Sequence, residues 1–382
     1  MTLDNLDTPA AVIDLPRMEN NIARMQQRMN ALGVKFRPHV KTTKCAEIVQ
    51  AQIAAGAQGI SVSTLKEAEQ FFAAGVNDIL YAVGIAPSKL PRALDLMRKG
   101  CDLKLLIDNP DAARAIAAFG REHQAVFEAW IEVDTDGHRS GIKPDEDALL
   151  EVAAILRDGG MNVGGVMTHA GSSYELHAPD ALAALAEQER AGCVHAAQRL
   201  RTAGFPCLAV SVGSTPTALS AQNLDQVTEV RAGVYVLFDL VMSNVGVCSL
   251  GDIALSVLTT VIGHQADKGW AIVDAGWMAM SRDQGTAKQA IDYGYGQPCS
   301  LDGTPLGDYA IVSANQEHGI LAPTALGQGN KHPGGNIADR FPIGTKLRIL
   351  PNHACSTGAQ FPEYHVLSSD GEIAVWERFH GW

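Results

Sequence analysis

Between residues 10 and 239, short apolar runs rich in β-branched side chains alternate with longer segments whose apolar residues recur every three or four positions. Strands joined through helices run parallel, because each crossover returns the chain to the starting end of the sheet. The strand-like runs fall at 11–15, 35–40, 59–63, 79–83, 103–107, 127–133, 165–168, 208–212 and 230–238, and the helical segments at 18–32, 45–55, 66–74, 91–98, 112–122, 147–157 and 181–203. Gly33, Gly56, Gly75, Gly100 and Gly204 follow five of those segments, where a left-handed C-terminal cap is expected. A repeat of about 25 residues with eight closing strands predicts a (β/α)8 barrel. One run is left over.

After residue 240 the pattern changes. Strand-like runs at 254–262, 270–273, 309–312, 346–350 and 364–376 are separated by Gly- and Pro-rich loops with no long helix between them. This predicts an α/β chain in two parts: a barrel over 1–240, whose first strand is free to join the second domain, and a mostly antiparallel β domain over 241–382. The stretch 326–337, LGQGNKHPGGNI, reads as a mobile loop.

Charge and apolar run length exclude several classes of partner. With 42 acidic against 30 basic residues the chain carries a formal charge of −12, which repels nucleic-acid backbones and anionic lipid. No uncharged apolar run reaches the roughly 18 residues that span a bilayer; the richest stretch, 233–262, is broken by Asp239, Asn244 and Asp252. Asp4 and Asp7 stand where a secretory signal would carry basic residues. The seven cysteines, odd in number and without C-x-x-C spacing, predict reduced thiols in a cytoplasmic protein.

Three segments could carry chemistry. In Arg37-Pro38-His39-Val40-Lys41-Thr42-Thr43-Lys44, at the end of the second run, Lys41 would project into the barrel mouth while Thr42 or Thr43 caps the next helix. A lysine enclosed there loses hydration and can attack a carbonyl to form a Schiff base; the alternative is a solvated basic turn. Gly213-Ser214-Thr215 and Gly233-Val234-Tyr235 follow barrel strands seven and eight, whose loops form phosphate cups in such barrels or serve as ordinary turns. In Pro351-Asn352-His353-Ala354-Cys355, an extended backbone would face His353 and Cys355 the same way, so that one metal ion could bind both with coordination positions left open. A buried histidine beside an inert cysteine is the alternative.

Taken together, RPHVKTTK, GHRSG, THAGSSY, SVGSTPT, EVRAGVY, DAGW, QEHG and PNHACST resemble the metal-dependent branch of alanine racemase-fold pyridoxal phosphate enzymes acting on D-3-hydroxy amino acids, which includes D-serine dehydratases and D-threonine aldolases. The resemblance spans the chain and implies that Lys41 holds pyridoxal 5'-phosphate and acts as the catalytic base. It also implies that Arg139 faces the cofactor's phenolic oxygen, that Gly213, Ser214, Thr215, Gly233, Val234 and Tyr235 cradle its phosphate, and that His169 and Tyr174 lie on the substrate side. His353 and Cys355 would bind a divalent ion of the zinc, manganese or cobalt type. Aldolases of the branch pair His with Asp at the metal, whereas its dehydratases pair His with Cys, as here. The implied reaction is therefore elimination of water from a small D-3-hydroxy amino acid such as D-threo-3-hydroxyaspartate, giving oxaloacetate and ammonia. D-serine dehydration and retro-aldol cleavage to glycine and an aldehyde are the alternatives. The family further implies a homodimer.

Overall fold

The computed structural model describes residues 2–324 and 336–382. Nine strands lie in the first two thirds of the chain: β1 (Ala10–Asp14), β2 (Lys35–Pro38), β3 (Ile60–Val62), β4 (Asp78–Gly84), β5 (Asp102–Ile107), β6 (Glu128–Glu132), β7 (Asn162–Met167), β8 (Ala209–Val212) and β9 (Glu229–Ala232). The strands β2 to β9 form one all-parallel sheet in the order β2-β9-β8-β7-β6-β5-β4-β3, and a bridge between His39 and Ser61 draws its two edges together. This is the predicted barrel. Seven helices cross between its strands, from Ala46–Ala54 to Thr215–Ser220, and the five expected capping glycines all have positive φ.

The run expected at 230–238 ends early. β9 stops at Ala232, Val234–Val236 make a 3-10 turn, and Phe238 takes a φ of 49°. All five residues from Val234 to Phe238 are buried, so their apolar character reflects packing around a turn rather than strand continuation.

The spare run, β1, pairs antiparallel with β10 (Leu255–Gln265) and parallel with β16 (Glu363–Leu367). The sheet they belong to also contains β11 (Trp270–Val273), β12 (Gln297–Cys299), β13 (Tyr309–Ala314), β14 (Gly319–Pro323), β15 (Lys346–Leu350) and β17 (Ile373–Glu377). Apart from β1 with β16, its pairings are antiparallel. The run expected at 364–376 is a hairpin, β16 and β17 reversing at Gly371, whose φ is 83°. The strands β12 and β14 fall outside the runs expected from the sequence, in the stretches read there as Gly- and Pro-rich loops.

The chain divides into one compact unit of Ala23–Gly233 with Gly381–Trp382 and another of Met1–Ile22 with Val234–His380. Of the loop expected to be mobile, residues 326–335 lie outside the described residues, and Ile337 opens a short helix, Ile337–Arg340.

Candidate active site

Parallel barrel strands deliver their C-terminal ends to one rim. There His39, Lys41, Glu132, Arg139, His169 and Arg231 line a cavity of about 280 Å³ within the barrel unit. The run expected at 35–40 ends two residues early, so Lys41 does not stand at a strand end. β2 stops at Pro38, and His39 caps the 3-10 turn Val40–Thr42 that carries Lys41, with the Lys41 amide 3.5 Å from His39 Nδ1. Nor do Thr42 and Thr43 cap the next helix, Ala46–Ala54, whose N-cap is Cys45. Lys41 is exposed in the chain by itself, not enclosed. Lys44 lies 3.2 Å from Glu67 Oε1.

Two neutral imidazoles flank the lysine. Burial takes His39 well below the usual histidine range, and Lys41 and Arg231 add to the effect. His169 follows β7; burial, with Arg231 next in importance, lowers it to about 3. Its Nδ1 lies 3.2 Å from the Gly213 carbonyl, which can only accept, so Nδ1 carries the proton and Nε2 a lone pair. The Tyr174 ring centroid is 6.2 Å from that of His169. Arg139 is largely exposed, its Nη2 3.4 Å from Glu132 Oε1, while Ser140 Oγ donates to Glu132 Oε2 at 3.2 Å. Lys41, Arg139 and Arg231 against Glu132 leave the cavity cationic, which suits an anionic ligand.

Arg231 belongs to the EVRAGVY motif, where sequence gives it no role, and it forms the cavity floor. Fully buried, it donates from Nε to Ser211 Oγ at 2.8 Å and from Nη2 to the Thr168 carbonyl. Ser211 Oγ donates in turn to Glu229 Oε1 at 2.8 Å. Glu229 receives Arg37 Nε at 2.9 Å, and Arg37 reaches Asp78. The sequence signal for this chain of charges is that Arg37 and Arg231 stand inside, and Glu229 directly before, runs read as barrel strands.

The loop after β8 is held from behind. Gly213 has a φ of 124°, and a Cβ there would come within 2.4 Å of the Arg231 carbonyl, so only glycine fits. Its amide donates to Glu189 Oε1 at 3.1 Å, and the same oxygen takes the Ala170 amide at 2.9 Å. Ser214 caps Thr215–Ser220; its amide is taken by Thr217 Oγ1, and its hydroxyl lies 2.8 Å from Ser173 Oγ. The amides of Gly213 and Ser214 are thus engaged within the protein, and Ser214 Oγ also meets the Thr217 amide and Thr217 Oγ1, so these residues fix the shape of the loop. A Cβ on Gly233 would come 3.0 Å from the His39 carbonyl, which keeps that turn narrow. Val234 and Tyr235 are buried in the 3-10 turn that opens the other unit.

In that other unit His353 and Cys355 do not share a strand face. His353 is the extended N-cap of the short helix Ala354–Gly358, and Cys355 lies in its first turn. They meet through the cap: the two side chains are hydrogen-bonded. His353 Nδ1 is 2.6 Å from Asp283 Oδ2. Asp239 is buried, accepts the Ala354 amide at 2.9 Å, and acts electrostatically on His353. Burial opposes charge on the imidazole, but Cys355, Asp283 and Asp239 together raise it to about 11. An imidazole and a thiol among carboxylates make a donor set that fits a borderline divalent ion. Among the described residues no three His, Cys, Asp or Glu side chains form a closed metal cage.

Residues 13–240 match the family described as alanine racemase, N-terminal domain, and residues 254–367 the putative serine dehydratase domain. D-threo-3-hydroxyaspartate dehydratase of Delftia sp. (strain HT23) is 67% identical over 382 residues, covering 100% of this chain and 99% of the relative. A solved structure of that enzyme superposes with a TM-score of 0.97 at 67% identity, covering 100% of both chains. D-serine dehydratase of Dictyostelium discoideum is 30% identical, covering 97% of this chain and 96% of the relative.

Proposed function

The chain belongs to the alanine racemase N-terminal domain family, which depends on pyridoxal phosphate, and on that premise we propose that it is a lyase converting D-threo-3-hydroxyaspartate to oxaloacetate and ammonia. The observation that carries the reading is the cationic cavity at the strand ends, where Lys41 stands between two neutral histidines. Full-length identity to the Delftia dehydratase supports it, as does Cys355, where the branch's aldolases place Asp. When bound, pyridoxal phosphate supplies an electron sink and a divalent metal a Lewis acid.

Lys41 would hold the cofactor and, once displaced by the substrate amine, would hold the Cα proton at Nζ. Arg139 and Arg231 would offset the charge of a phosphorylated cofactor and a dicarboxylate substrate. His169 presents Nε2 as an acceptor, and with Tyr174 orients the substrate. Within the barrel unit, Ser214 and Thr215 would stand beside the phosphate on a loop shaped by Gly213, with Gly233 on the turn after β9. The β unit would hold zinc, manganese or cobalt through His353 and Cys355, so the barrel binds the cofactor and the second unit the metal. An exposed cofactor lysine calls for a cover, and the reading includes a homodimer. The seven cysteines are free thiols, in keeping with a cytoplasmic location. Among the described residues no helix is long and apolar enough to cross a membrane.

Products decide the matter. The enzyme loaded with cofactor and metal should release oxaloacetate and ammonia in equal amounts from D-threo-3-hydroxyaspartate, faster than pyruvate from D-serine. Glycine and glyoxylate as the main products would instead establish retro-aldol cleavage.

A further inference from the structure

Outside the site described, one charged side chain of the β unit is buried without the partners it needs. Arg348 stands in β15 between Leu258 of β10 and Cys299 of β12 and is 1% exposed. Its Nε donates to Ser256 Oγ at 2.8 Å, but Nη1 and Nη2 have no hydrogen-bond partner among the described residues. Guanidinium does not give up its proton at ordinary pH, so burial leaves a charge and four N–H donors to be met from elsewhere.

A second guanidinium approaches the same place. At Gly303, whose φ is 86°, the point where a Cβ would stand is 3.1 Å from Arg348 Nη1 and 3.2 Å from Arg17 Nη2. Arg17 has its own carboxylate, Asp14 Oδ2 at 3.3 Å from Nε, and its Nη1 donates to the Ile253 carbonyl. Asp14 also accepts the Arg17 amide. Two cations therefore converge beside Asp14, the second nearby carboxylate, Asp302, being exposed on its turn, and the four terminal N–H donors of Arg348 stay unmet among the described residues. Asp14 and Asp302 both act electrostatically on Arg348, which disfavours a dianion. Guanidinium is weakly hydrated and pairs best with an ion that sheds water easily.

The geometry points to a binding site for one monovalent inorganic anion of halide size between Arg348 and Arg17, over Gly303. Such an ion would tie the 300–304 turn and the start of Leu15–Ala31 to the sheet.

Two measurements on the full-length holoenzyme test this. Crystals soaked in sodium bromide should show an anomalous peak at hydrogen-bond distance from Arg348 Nη1 and Nη2. In solution, the melting temperature should rise with chloride and saturate, at ionic strength held constant with gluconate. Arg17→Gln should raise the half-saturating chloride concentration about ten-fold with the cofactor spectrum unchanged, and Arg348→Met should abolish the dependence. If Arg348→Met does not fold, Arg17→Gln alone decides. Water in place of bromide, equal melting in chloride and gluconate, or a bromide peak with no effect in solution, an adventitious ion only, would each overturn the proposal.

Discussion

The imidazole of His353 rests against the carboxylate of Asp283, Nδ1 to Oδ2 at 2.6 Å, across 70 residues of sequence. The contact commits Nδ1 and leaves Nε2 as the nitrogen able to ligate, the arrangement by which a carboxylate orients a metal-binding histidine. Asp283→Asn should therefore lower metal affinity about 10–100-fold, measured by competition against a chelator, with cofactor absorbance unchanged.

Metal removal should stop chemistry without unfolding the chain, since two protein donors suit an open site better than a closed structural one. Chelation or Cys355→Ala should slow oxaloacetate release by on the order of 10²–10³-fold, the loss expected when fixed charge at a developing oxyanion is removed. The melting temperature should hardly move. A chelated enzyme working at full rate would remove the Lewis-acid role given to His353 and Cys355.

Glu189 is the joint between two loops of the cavity. Its buried Oε1 accepts the amides of Ala170 and Gly213, and Glu189→Ala would strand both donors at about 1–3 kcal/mol each. The variant should melt at lower temperature and bind cofactor several-fold more weakly. Glu189→Gln keeps an acceptor in place and should recover most of both losses, as equilibrium unfolding and cofactor titration would report.

The desolvated, half-buried imidazoles of the cavity set an acid limit on the cofactor-free chain. His169 titrates near 3 when folded against an ordinary value of 6.5, so between those values the unfolded chain binds more protons. Its contribution to stability is complete above pH 6.5 and is lost as pH falls toward 3. His169→Asn should flatten the decline of melting temperature between pH 6.5 and 4. Imidazole resonances of His39 and His169 should stay in place from pH 8 to 5.

Lys41 and Lys44 are three residues apart but differently engaged. Lys44 Nζ lies 3.2 Å from Glu67 Oε1 with its side chain 15% exposed, whereas Lys41 stands open at the cavity. Borohydride reduction of the holoenzyme followed by peptide mapping should label Lys41, and Lys41→Ala should abolish visible absorbance. Label on Lys44 would reverse the assignment.

Local periodicity made the barrel legible in the sequence. Apolar spacing and the glycines after helices mark strands and helices one at a time, whereas Lys41 is distinguished from a solvated basic turn by the motif RPHVKTTK and not by its position. The change of pattern after residue 240 marked the β unit for the same reason. Tertiary structure alone decided what these residues touch. Asp283 beside His353, Glu189 behind Gly213, Glu229 reaching Arg231 through Ser211, and Arg348 of β15 meeting Ser256 all depend on segments far apart in the chain, and no local period records such a pairing. At 234–238 the backbone conformation departs from the expected strand for a related reason. Val234 to Phe238 are as apolar as a strand because the fold packs around them, and hydrophobicity reports that a residue is enclosed, not which backbone conformation encloses it.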